Sequence, residues 1–69
     1  MEQSEVRDLM QQVNQALNEK GYNPVIQLVG YILTEDPTYI TNHNGARKLI
    51  YKVDRDTLLR DIIEFYFQN

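Results

Sequence analysis

The chain has no cysteine and no tryptophan, one histidine, three glycines and two prolines. Without cysteine there can be no disulfide framework and no thiolate metal site. A lone histidine, His43, leaves metal binding to scattered carboxylates, and none of these follows a calcium-loop spacing. No metal and no cofactor is expected. Long apolar runs are also missing. Nothing approaches the roughly 18 to 20 consecutive apolar residues of a membrane span. The start, MEQSEVRDLM, has neither the basic nor the apolar region of a signal peptide. These absences fit a cytoplasmic protein with no membrane insertion. Positive charge is in short supply too. Seven Lys and Arg stand against ten Asp and Glu, for a net charge of −3. That disfavours general nucleic-acid binding, which draws most of its affinity from phosphate neutralisation.

What remains is short. Sixty-nine residues make one domain, expected to span 1–69, and such a domain buries only about 60% of its unfolded surface. With disulfides and metals excluded, a second copy of the chain is the expected source of extra stability.

Four helices are legible. Val6, Leu9, Met10, Val13, Ala16 and Leu17 form one stripe at a 3.6-residue period, predicting a helix over 5–19 with Ser4 as cap. Gly21 ends it in a left-handed conformation. Asn23-Pro24 opens a second helix to Leu33 or Thr34, asparagine as cap and proline at the first position. Seven of the nine residues from Val25 to Leu33 are apolar or aromatic. A helix apolar all round belongs in the middle of a bundle, and a second copy would hide it more easily. Gly30 costs about 1 kcal/mol relative to alanine in a helix interior, and is expected to permit a close helix crossing. Asp36-Pro37 predicts a helical turn to Ile40. Asn44 is expected to cap a sizeable third helix from Gly45 or Ala46 to Lys52, with Ala46, Leu49, Ile50 and Val53 inward. Asp54 caps a fourth from Arg55 to about Phe67, whose Leu58, Leu59, Ile62, Ile63, Tyr66 and Phe67 make a wide apolar face. The fold class is all-α: a compact bundle of four to five short helices, intertwined or face to face as a homodimer. Core and dimer contacts are assigned to Ile26, Val29, Gly30, Leu33, Leu59, Ile62, Ile63 and Tyr66.

No catalytic set emerges. His43 sits in the polar loop TNHNG, where a solvated or loop-bracing role suffices. Without a second histidine or a cysteine, no hydroxyl can be given a base and an orienting group. The basic residues are more suggestive. Residues 37 to 53 hold no acid but carry Arg47, Lys48 and Lys52, with Lys48 and Lys52 one helical turn apart and Arg55 just beyond. Such a patch can receive an acidic protein surface or a phosphate group; its dull alternative is a solvated helix face. Tyr51 lies beside it, and amphipathic rings favour interfaces. Arg47, Lys48, Tyr51, Lys52 and Arg55 are therefore the expected partner-binding residues. A second class, a small helix-turn-helix DNA-binding protein, would use Ala46 to Lys52 as its recognition helix.

At this level the motifs resemble a known family. LNEKGYNPVIQLVGYILTEDPTYI (17–40), NGARKLI (44–50) and VDRD (53–56) are similar to the IreB family, across nearly the whole chain. The resemblance implies an all-helical cytoplasmic homodimer without enzymatic activity. It implies regulation of cell-wall synthesis downstream of a Ser/Thr kinase with extracellular PASTA repeats. In some members the output is proteolysis, by the Clp protease, of the enzyme that commits UDP-N-acetylglucosamine to peptidoglycan. Arg47 and Arg55 match family arginines, whereas Asn42 and Tyr51 stand where relatives carry basic residues. The family's kinase acts on a threonine in a tail preceding the first helix. Here that helix is expected within about four residues of Met1, so no phosphorylation site is expected in this chain, and Ser4 does not inherit the role.

Overall fold

A computed structural model describes residues 3–68. The expectation of a missing N-terminal tail concerns residues outside that range. The element order is α1 (Gln3–Glu19), α2 (Pro24–Thr34), two single 3-10 turns (Pro37–Tyr39 and His43–Gly45), α3 (Ala46–Ile50) and α4 (Arg55–Gln68). There is no strand among the described residues, and the all-α class holds.

Helix α1 is the spine because its stripe supplies Val6, Leu9, Val13, Ala16 and Leu17, all buried. Ser4 lies inside this helix rather than capping it. At the other end Gly21 takes φ +83 and lets the Tyr22 N–H bond back to the Leu17 carbonyl at 2.9 Å. That is the six-to-one bond of a Schellman ending. Asn23 then caps α2 as its sequence implies, its Oδ1 accepting from the N–H groups of Val25 at 3.0 Å and Ile26 at 3.2 Å.

The core closes over α1 from three sides. Ala46, Ile50 and Val53 come from α3 and the turn after it, Tyr31 from α2, Ile40 from the connecting loop and Leu58 from α4. Each fully buried aliphatic side chain here is worth about 1.5–3 kcal/mol relative to exposure. Contact with α1 is made mainly by α3, although α3 is only five residues long. The expected run to Lys52 stops early, with residues 51 to 53 in a turn. Nor is Asn44 the cap. Gly45 occupies that position at φ 72 without a side-chain cap bond, and Asn44 is itself left-handed at φ 52. Its amide donates to Glu19 Oε2 at 2.7 Å.

Two expectations about packing are corrected. Helix α2 is not central: Tyr31 is its one buried residue, and Leu33 is 77% exposed. A chain this small spends its inward space on the α1 stripe and lacks the elements to surround a second apolar helix. Within the protomer the group nearest Gly30 is a ring and not a second helix. The glycine accommodates the ring of Tyr39, whose Cδ1 would stand 2.6 Å from an added Cβ. Of the residues assigned to core or dimer contacts, Ile26, Val29, Leu33, Leu59, Ile62, Ile63 and Tyr66 are all exposed, and none belongs to the protomer core. The wide face of α4 behaves similarly: Leu58 is buried, while residues 62 to 68 are exposed.

Candidate docking surface

The acid-free segment folds into the second 3-10 turn, α3 and the turn after it. This compact corner presents its cations unequally. Lys48, Tyr51 and Lys52 are exposed, and the side chains of the two lysines have no ion pair or hydrogen bond to another described residue. The two arginines are engaged. Arg47 is half-buried and donates from Nε to the Ile40 carbonyl at 2.9 Å, pinning the loop that carries Ile40 into the core. Arg55 donates from Nη1 to the Ile32 carbonyl at 3.4 Å and pairs through Nη2 with Glu35.

That second arrangement explains a residue which sequence reasoning missed. Glu35 ends α2 in the left-handed region, φ 61 and ψ 15, where glycine is usual. Its N–H bonds the Tyr31 carbonyl at 2.9 Å, and its carboxylate meets Arg55 at the start of α4. The pair joins the end of α2 to the beginning of α4. Its signal in the sequence was faint: an acid where a helix stops, and an arginine twenty residues later. As a partly exposed pair it is worth about 1 kcal/mol or less.

Asp36 behaves as its Asp-Pro setting implies. Its Oδ1 accepts from the Thr38 N–H at 3.0 Å and from the Thr38 hydroxyl at 2.7 Å. Those two bonds hold its carboxyl below the usual range; slight burial opposes them and the charge of Arg47 assists. Burial raises the Tyr31 phenol, with Arg55 opposing and Tyr51 adding to the rise. His43 braces the loop, its Nε2 3.2 Å from Glu19 Oε2, so Glu19 ties both His43 and Asn44 to the end of α1. The His43 ring meets a carboxylate but no hydroxyl in these contacts.

One concavity escaped the sequence altogether. Between α1 and α4 runs an apolar groove of about 460 Å³, lined by Val6, Met10, Leu58, Ile62 and Phe65 with Arg7 and Asp61 at its sides. The Arg7 guanidinium lies over the Phe65 ring, 5.4 Å from its centroid. Asp61 Oδ2 is buried without a hydrogen-bond partner among the described residues.

A family model described as the IreB regulatory phosphoprotein matches residues 1–68. The chain belongs to the IreB family. A UPF0297 protein of Ruminiclostridium cellulolyticum is 49% identical over 67 residues, covering 97% of this chain and 76% of that relative. Another, from Lachnoclostridium phytofermentans, is 56% identical over 64 residues, 93% of this chain and 73% of the relative. A third, from Acetivibrio thermocellus, is 57% identical over 65 residues, 94% and 72% respectively. Membership in the IreB family carries a regulatory role. No helix among the described residues is long and apolar enough to cross a membrane.

Proposed function

We propose that this IreB-family chain is a non-enzymatic cytoplasmic regulator that works by protein–protein contact as a homodimer. Its pathway is PASTA-type Ser/Thr kinase signalling, and its output is control of peptidoglycan synthesis through Clp proteolysis of the enzyme that commits UDP-N-acetylglucosamine. The observation that carries this reading is the family match over nearly the entire chain. Two structural features support it. The stripes of α2 and α4 leave Val25, Ile26, Val29, Leu33, Leu59, Ile62 and Ile63 exposed, and exposed apolar faces of this kind mark interaction surfaces. Lys48, Tyr51 and Lys52 form an open cationic corner on an otherwise acidic protein, suited to an acidic partner surface.

The helix-turn-helix alternative is not favoured. Five residues make α3 about 7.5 Å long, and Arg47 turns back to the chain's own carbonyl.

The decisive experiment measures the half-life of that peptidoglycan-committing enzyme in cells carrying the wild-type gene, a deletion, or Lys48→Glu with Lys52→Glu. Deletion should change the half-life, and the double variant should reproduce that change while remaining folded and dimeric. An unchanged half-life in the deletion strain would overturn the pathway. A changed half-life on deletion, with wild-type behaviour of the double variant, would remove the lysines from the docking surface.

A further inference from the structure

Beside the docking corner lies a cleft of about 320 Å³ bounded by Tyr22, Gln27, Thr38, Tyr39, Thr41 and Arg47. It is within the size range of small-ligand sites. Its chemistry is one-sided. Every lining side chain ends in a group able to donate a hydrogen bond, and none is an acid. This is unusual in a chain where acids outnumber bases ten to seven.

The donors are not equally free. The Thr38 hydroxyl is committed to Asp36. Arg47 spends only its Nε–H, on the Ile40 carbonyl, and a guanidinium has five N–H groups. The bond that spends one of them also fixes the orientation of the fork that carries the other four. Among the described residues no other hydrogen bond or ion pair engages it. The Thr41 hydroxyl accepts from the His43 N–H at 3.3 Å, which leaves its own proton available. The phenols of Tyr22 and Tyr39 and the Gln27 amide have no partner among the described residues. Asp36 is the acid that feels Arg47, and its Oδ1 is already occupied by both donors of Thr38.

We propose that this cleft binds a phosphoryl group, as inorganic phosphate or as a phosphate monoester. A carboxylate would satisfy the arginine fork and leave the surrounding hydroxyls idle. A phosphoryl group has three acceptor oxygens in a tetrahedral array, enough to take the fork and the hydroxyl donors together. The site shares Arg47 with the docking surface and none of its other residues, so variants of Lys48 and Lys52 separate anion binding from partner docking.

Titration of the full ¹⁵N-labelled chain with sodium phosphate and with phenyl phosphate, at constant ionic strength against sodium chloride, tests the site. Saturable shifts are expected at the Arg47 side chain, Thr41 and Tyr39 in the phosphate arms alone. The arm with the lower saturation point identifies free anion or ester as the preferred form. Arg47→Lys should weaken binding roughly tenfold or more, since it keeps the charge and loses the fork. Tyr22→Phe with Tyr39→Phe, which keeps both rings, should weaken it roughly two- to tenfold. Lys48→Gln with Lys52→Gln should leave it unchanged. Linear shifts equal to those in chloride would overturn the site. So would binding that survives the paired phenylalanines at full strength, or binding lost with the two lysines.

Discussion

Leu33 gives the sharpest test of the homodimer. It stands at the end of α2, 77% exposed, on a stripe with Val25, Ile26 and Val29. The Arg55 bond to the Ile32 carbonyl brings this end of α2 to the start of α4, so the two exposed stripes begin near one another. If they meet their copies across a two-fold axis, each protomer removes about three-quarters of Leu33 from water. Complete burial of a leucine is worth about 2 kcal/mol, so the newly covered part contributes roughly 1.5 kcal/mol per copy. A two-fold interface uses the same residue twice, and Leu33→Ala should cost about 3 kcal/mol of association. That is about a hundredfold in dissociation constant. The protomer itself should be almost untouched, because Leu33 lies outside its core. Sedimentation equilibrium across the micromolar range reads the first quantity, and circular dichroism at a concentration where both proteins are monomeric reads the second. A wild-type chain that sediments as a folded monomer at tens of micromolar would refute the reasoning. So would a Leu33→Ala dimer with unaltered affinity.

Two further outcomes follow from local geometry. Gly30→Ala would gain about 1 kcal/mol of helix propensity, yet its Cβ would stand 2.6 and 2.8 Å from two atoms of the Tyr39 ring. Displacing that ring should leave a net loss of about 1–2 kcal/mol in urea unfolding, and adding Tyr39→Ala to Gly30→Ala should recover the part due to the clash; equal stability of Gly30→Ala and wild type would mean the ring moves freely. Asp36 has a folded pKa below its unfolded value, so its contribution is full above the unfolded carboxylate value, about 3.9, and is lost as pH falls through the folded pKa. Asp36→Ala should therefore lower thermal stability at neutral pH and show a shallower decline than wild type below about pH 4; parallel acid profiles would show that the turn does not depend on the carboxylate.

Most of the local structure was readable without coordinates, because it depends on groups within a few residues of each other. The α1 stripe, the glycine ending, the Asn-Pro cap and the Asp-Pro turn each contain their own cause. Residues 44 to 52 were misread for a related reason. The pattern is helical, but Asn44 is left-handed and bonded to Glu19, twenty-five residues away, so α3 starts from Gly45 instead. The docking surface was half legible. Four cations and a tyrosine could be counted along the chain, but which of them face outwards could not. The carbonyls of Ile40 and Ile32 draw Arg47 and Arg55 inwards, and leave Lys48 and Lys52 to the solvent.

Composition and spacing by themselves determined that this protein is helical, that disulfides and thiolate metal sites are closed to it, and that its apolar residues exceed what one small core can use. Tertiary structure decided where the excess lies. Periodicity marks a face as apolar, but only the packing of the other elements determines whether anything covers it. Helix α1 took the interior, α3 and the loops closed over it, and the stripes of α2 and α4 were left outside. The donor-lined cleft has the same origin: residues 22, 27, 39, 41 and 47 share no motif, and only the fold of the chain between α1 and α3 brings them together.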